Sequence, residues 1–176
     1  MTAHQQQMQG FAKYNREFNA RLYQLVATLT EDERKKDLGA FFGSVHATLN
    51  HILLADRIWL GRFAHAFPAM ASLQQAELVQ RFSSLRDELY ADFTALSAQR
   101  IATDEVIRRF ADELTDTQLA GTMRYSNSQG QQREHPTWVA VAHMFNHQTH
   151  HRGQLSTLLH QLGHDVGVTD FVAYVP

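Results

Sequence analysis

PTWVAVAHMFNHQTHHRGQLSTLLHQLG, residues 136–163, is an amphipathic segment opened by a proline and closed by a glycine. Proline suits the first turn of a helix and glycine its left-handed C-terminal cap, so a helix is expected over residues 136–162. Within it His143, His147 and His151 recur every four residues, followed at once by Arg152, Gly153 and Gln154. Side chains four apart stack on one helix face with their β-carbons about 6 Å apart, so two imidazoles can close on one metal ion. His143 and His151 stand about 12 Å apart on a helix rising about 1.5 Å per residue, too far to share an ion. The pair is therefore 143 with 147, or 147 with 151.

Three further long helical patterns precede this one. Residues 8–29 place Phe11, Tyr14, Phe18, Leu22, Leu25 and Leu29 at three-to-four spacing, and the charged run TEDERKK ends the helix. Over residues 38–63, Phe42, Val45, Leu49, Ile52, Leu53 and Leu60 share one face, while Leu54 and Ile58 lie on the other. A helix apolar on two sides should be covered on two sides, by the bundle and by either a loop or a second subunit. That pattern leads us to expect a homodimer. A third helix is expected over residues 73–96, with Leu78, Phe82, Leu85, Leu89, Phe93 and Leu96 on its buried face. Residues 100–134 are less regular: 104–110 would form one or two helical turns, and two short strands would flank residues 127–130. The tail after Gly163 should pack as an extended arm. The expected fold is all-α: a four-helix bundle with one long crossover, a short helix and a small hairpin, between the third and fourth helices.

The chain has 176 residues, suited to a single domain spanning 1–176 with a full core. Sixteen Lys and Arg oppose 18 Asp and Glu, and neither half carries a basic block, so direct nucleic-acid binding is not expected. There is no cysteine, which removes thiolate nucleophiles, disulfides and sulfur-ligated metals and leaves nitrogen and oxygen as ligands. Without a signal-peptide pattern or an apolar run of about 18 residues, the protein is expected to be soluble, cytoplasmic and free of the membrane. Of its 11 histidines, six fall between His143 and His164.

Two histidines on one helix supply too few ligands for a tightly held divalent ion, which normally takes at least three from the protein. The second helix offers His46 and His51. Five residues apart, they point about 140° from one another, so one ion would take only one of them, and spacing does not choose.

TLNHILLADRIWLGRF (residues 48–63) together with HMFNHQTHHRGQLSTLLHQLG (143–163) resembles the DinB-like proteins, four-helix bundles named for DNA-damage inducibility in one member. The resemblance implies three histidine ligands to a divalent ion, one on the second helix and two at four-residue spacing just before the Arg-Gly-Gln of the last. On this chain those are His51, His147 and His151. Three neutral imidazoles with open coordination positions suit a catalytic rather than a closed structural site, for zinc or nickel first and for iron or manganese as well. The family includes metal-dependent transferases of low-molecular-weight thiols and a thiol-dependent isomerase. By that analogy the ion would act on an external thiol.

Other polar residues have plainer readings. Asp56 could orient a ligand imidazole or pair with Arg152, and His143 could support a ligand or line the cavity. Arg152 could bind a substrate anion or form a structural ion pair. His150 points about 100° from the ligand face, and His160 and His164 suit a helix C-terminus. Trp59 and Trp138 read as core or interface residues. Glu77, Asp87, Glu88 and Asp92 read as the solvated face of the third helix, and no Glu-x-x-His pattern of a di-iron bundle occurs. Two rival functions remain: a non-catalytic, metal-stabilised stress-response dimer, and a metal-dependent hydrolase.

Overall fold

The computed structural model describes residues 2–74 and 82–175. The expected all-α class holds: helices dominate, with one two-stranded antiparallel sheet. The elements are α1 (Ala3–Ala27), α2 (Glu31–Lys35), α3 (Val45–Ala66), α4 (Phe93–Glu113), α5 (Asp116–Ala120), β1 (Thr122–Ser126), β2 (Gln132–Pro136) and α6 (Thr137–Gln161). Each of α1 and α3 packs chiefly against both α4 and α6. The α3–α6 seam brings the second and last histidine segments together. No helix among the described residues is long and apolar enough to cross a membrane.

Local chemistry sets the boundaries. The charged run after α1 is itself helical, because Thr30 and Glu33 form a capping box and Glu31 and Asp32 occupy the first turn. The second long helix starts at Val45 rather than at 38. Asp37 caps the Gly39 amide, Leu38 donates to the Gly43 carbonyl, and Gly39 and Gly43 take the left-handed conformation, a turn that Ser44 converts into the N-cap of α3. At the far end Gly163 has φ of 85°, the left-handed cap its sequence position called for.

The third helix departs most from expectation. Residues 83–92 are not helical, and the long helix is Phe93–Glu113. Of the expected apolar face, Leu78 lies outside the described residues, as does Glu77. The backbone of 83–92 is committed elsewhere. The Ser83 and Ser84 amides donate to the Asp87 carboxylate, the Leu85 carbonyl meets His51, and the Tyr90 carbonyl takes Asn50 and lies 2.9 Å from a His46 ring nitrogen. Asp92 then caps the Ala95 amide and starts α4. Asp87, Glu88 and Asp92 are thus a turn acceptor, a His46 contact 3.0 Å away and a helix cap, not one solvated helix face. Between α4 and α6 the short helix sits at 116–120 rather than 104–110, and the hairpin forms around 127–130 as expected.

The core has two apolar clusters. One gathers Met8, Leu60, Phe63, Phe110 and Met144, and the other Phe18, Leu22, Leu49, Leu96 and Leu158. Between them in sequence, on every long helix, lie buried polar residues: Asn15 and Asn19 on α1, Asp56 on α3, Arg100 and Asp104 on α4, Gln148 and Arg152 on α6. Arg100 pairs with Asp56 and stands 2.8 Å from Asp104. Asn15 and Asn19 donate to Asp104 at 2.9 and 3.0 Å, and Arg152 donates to Asn15 and Gln148. These residues tie all four helices into a polar belt. On the second face of α3 Asn50, Leu54 and Arg57 are buried, with Asn50 and Arg57 bonded to Tyr90, while Ile58 is half-buried and lines a cavity.

Removing one member of such a belt strands its partners. Arg100→Met, which leaves Asp56 and Asp104 buried without their shared cation, is expected to lower unfolding stability by about 3–5 kcal/mol. Urea denaturation followed by circular dichroism measures it. A loss under about 1 kcal/mol would show that the belt contributes little.

Candidate metal centre

Of the two α3 histidines, five residues apart, His51 faces the α6 histidines and His46 does not. The His51 Nε2 lies 3.3 Å from His147 Nε2 and 3.2 Å from His151 Nε2, and the last two are 3.0 Å apart. One nitrogen from each ring thus closes a triangle. A tetrahedral ion with metal–nitrogen bonds of about 2.0–2.1 Å spaces its ligand nitrogens by roughly 3.3 Å, and an octahedral face by roughly 3.0 Å. The triangle fits both.

The hydrogen bonds on the opposite ring nitrogens set the tautomers. His51 Nδ1 is 2.8 Å from the Leu85 carbonyl, an obligate acceptor, so the proton sits on Nδ1 and the Nε2 lone pair faces the triangle. His151 Nδ1 is 2.8 Å from Gln154 Oε1 and is fixed in the same way. His147 Nδ1 is buried with no partner among the described residues, so packing rather than a bond orients that ring. Burial is the largest influence on all three. It pushes the His147 imidazole down to about 3 and His151 down to about 4, with each ring's charge disfavoured further by its neighbours, and it lowers His51. At neutral pH the rings are uncharged, and three ring nitrogens converge in a largely buried pocket, two of them with their lone pairs inward. The three nitrogens form a donor set that could hold a metal ion.

Aromatic residues wall the site. The Phe42 ring stacks on His51 with centroids 4.0 Å apart and meets His151 edge-on at 5.5 Å. Exposed Phe41 packs on Phe42, and Arg86 lies over Phe41. Sequence reasoning missed three supports: Phe42, the Leu85 carbonyl and Gln154. Only Gln154 had a readable signal, since it stands three residues after His151 on one helix and so reaches the same face.

The remaining candidates sit apart from the triangle. His46 turns to Tyr90 and Glu88 on the other side of α3. Asp56 pairs with Arg100, not with an imidazole or with Arg152, and burial pushes its carboxyl up to about 6 against the pull of that guanidinium. Arg152 is buried in the belt, donates to Asn15, Gln148 and Thr149, and stacks on Tyr14 and Phe18. Neither residue bonds to a triangle imidazole: Arg152, next to His151, points about 100° from it, and Asp56, five residues after His51, about 140°. His143 is exposed, 6.1 Å from the His147 ring and 5.0 Å from Trp59, and forms no hydrogen bond among the described residues. Trp59 is a core residue, and exposed Trp138 lies 6.2 Å from His4. His150 meets the Gln154 amide nitrogen at 3.3 Å.

Neither a curated protein nor a solved structure matches the chain. The model of the DinB family matches residues 1–175, essentially the whole sequence including both histidine segments. The chain belongs to the DinB family.

Proposed function

We propose that the chain is a four-helix bundle holding one divalent ion through the Nε2 atoms of His51, His147 and His151, and that it is a metal-dependent enzyme acting on a small external thiol. The observation that carries this reading is the nitrogen triangle of 3.0–3.3 Å with the Nδ1 protons of His51 and His151 committed to acceptors. Neutral imidazoles suit zinc or nickel, and iron and manganese are compatible with the same donors. When bound, the ion would supply Lewis acidity, lowering the pKa of a coordinated thiol or water.

The side chains divide the remaining work. Leu85 and Gln154 hold the ligand rings in one tautomer and raise their donor strength. Phe42 and the packed α3–α6 seam shield the triangle, which keeps the local dielectric low. No fourth His, Asp or Glu joins the three among the described residues, so coordination positions stay open to a small molecule. The chain has no cysteine, so the sulfur of any thiol reaction comes from outside it.

Metal analysis of untagged protein tests the site directly. About one equivalent of divalent metal is expected, falling below about a tenth in His147→Ala, whereas a native content below about a tenth would sink the reading. Gln154→Ala should keep the fold but weaken metal affinity by about 10- to 100-fold in a chelator competition, because His151 loses the acceptor on its Nδ1. To test catalysis, the loaded protein is offered a small thiol and an epoxide, and thioether formation is followed. Turnover that stops in His51→Ala supports the enzyme, and turnover that survives that substitution counts against it.

A further inference from the structure

Three of the interior arginines differ in how their charge is met. Arg100 has two carboxylates beside it, and Arg152 shares the same belt, where two guanidiniums balance Asp56 and Asp104. Arg57, only 1% exposed, has neutral partners: it donates to the Tyr90 hydroxyl at 3.0 Å and to Gln99, and its Nε is buried with no acceptor among the described residues. Five residues further along α3, Arg62 is half-buried and makes neither hydrogen bond nor ion pair among the described residues. Its guanidinium carbon lies beside two aromatic rings, 4.6 Å from the centroid of Trp59 and 4.9 Å from that of Tyr125, rings that themselves meet edge-on. Aromatic rings take no hydrogen bond in the guanidinium plane, so its N–H donors, the part that grips a planar oxyanion, keep no partner in these contacts.

Both arginines line one cavity of about 290 Å³ between α3, Phe82 and the hairpin, together with Ile58, Tyr125 and Asn127. That volume matches a small molecule. A buried cation without an anion is costly, and burial already disfavours the charge on Arg62.

We propose that this cavity is a binding site for the oxyanion group, carboxylate or phosphate, of a small molecule, with Arg62 gripping the anion and Arg57 supplying a second positive charge behind it. Tyr125 and Phe82 line the cavity and give the organic part an aromatic surface, while Trp59 lies behind Arg62 and reports on it. Trp59 also touches His143, whose ring neighbours that of His147, so the cavity and the histidine triangle lie along one stretch of the α3–α6 seam. On the metal-centre reading above, and resting on it, the anion is the acidic end of the substrate. Binding of the anion itself does not depend on the metal.

The test uses full-length Trp138→Phe protein, in which Trp59 is the sole tryptophan, stripped of metal and dialysed free of chelator. Benzoate, inorganic phosphate and benzamide are titrated while Trp59 fluorescence is followed. A saturable change is expected with benzoate or phosphate and not with neutral benzamide, and the tighter of the two anions identifies the group. Arg62→Met should weaken it at least about ten-fold with an unchanged circular dichroism spectrum, and Arg62→Lys should fall between. Equal binding by Arg62→Met, benzamide matching benzoate, or no saturable change with either anion up to about 50 mM would each overturn the proposal. A positive titration alongside a failed metal analysis would separate this site from the metal reading.

Discussion

The buried pairing of Arg100 with Asp56 and Asp104 is the constraint around which the helices are arranged. Apolar surfaces attract without direction, and two helices faced with leucine can slide by a turn at modest cost. A buried charge cannot slide. Moving α4 one turn against α3 would take Arg100 from Asp56, and moving α1 would take Asn15 and Asn19 from Asp104, each stranding a polar group that water cannot reach. Such a belt adds little stability over a well-packed apolar layer. Its effect is to make the alternatives far worse. Two apolar clusters above and below it supply the burial, and the belt supplies the register.

Register is what the histidine triangle needs. His51 comes five residues before Asp56, and His151 stands next to Arg152, so the belt residues on α3 and α6 and the triangle residues on the same helices are fixed by one set of contacts. The nitrogens that meet across the two helices, 3.2–3.3 Å apart, would tolerate displacements of only a fraction of an ångström before one ion could no longer bridge them. Arg152 and Asp56 therefore serve the site without touching it. Their sequence neighbours point into the seam while they point into the bundle.

The histidine spacing on α6 was legible because a period of four is visible without knowing anything else, and Gly163 and the hairpin announced themselves through residue chemistry. What stayed hidden was non-local. Residues 100–113 looked irregular because Arg100, Thr103 and Asp104 occupy inward positions where a helical pattern should show apolar side chains; their partners, on α1 and α3, are invisible in the local sequence. The opposite error befell 82–92, where Phe82, Leu85 and Leu89 keep helical spacing but the backbone carbonyls are drawn to His51, His46 and Asn50. Periodicity reports which residues want burial, and not which backbone groups already have partners. For the same reason spacing could not decide between His46 and His51. The choice depends on which one faces α6.

That non-helical connection explains how α3 can be buried on nearly every side and still present polar groups on two of its surfaces, the histidine triangle and the arginine-lined cavity. A regular helix over 82–92 would satisfy its own carbonyls and offer α3 only side chains. An irregular strand of chain offers carbonyls instead, and a carbonyl is the acceptor that holds a neutral imidazole with its proton on Nδ1. Leu85 does this for His51, and Tyr90 does the equivalent for Asn50 while its hydroxyl receives Arg57. Phe82, at the start of the same run, closes the arginine-lined cavity. The polar side chains of α3 and the free backbone of 82–92 complete each other, so the loss of helix in this segment is what makes the adjoining face of α3 chemically usable.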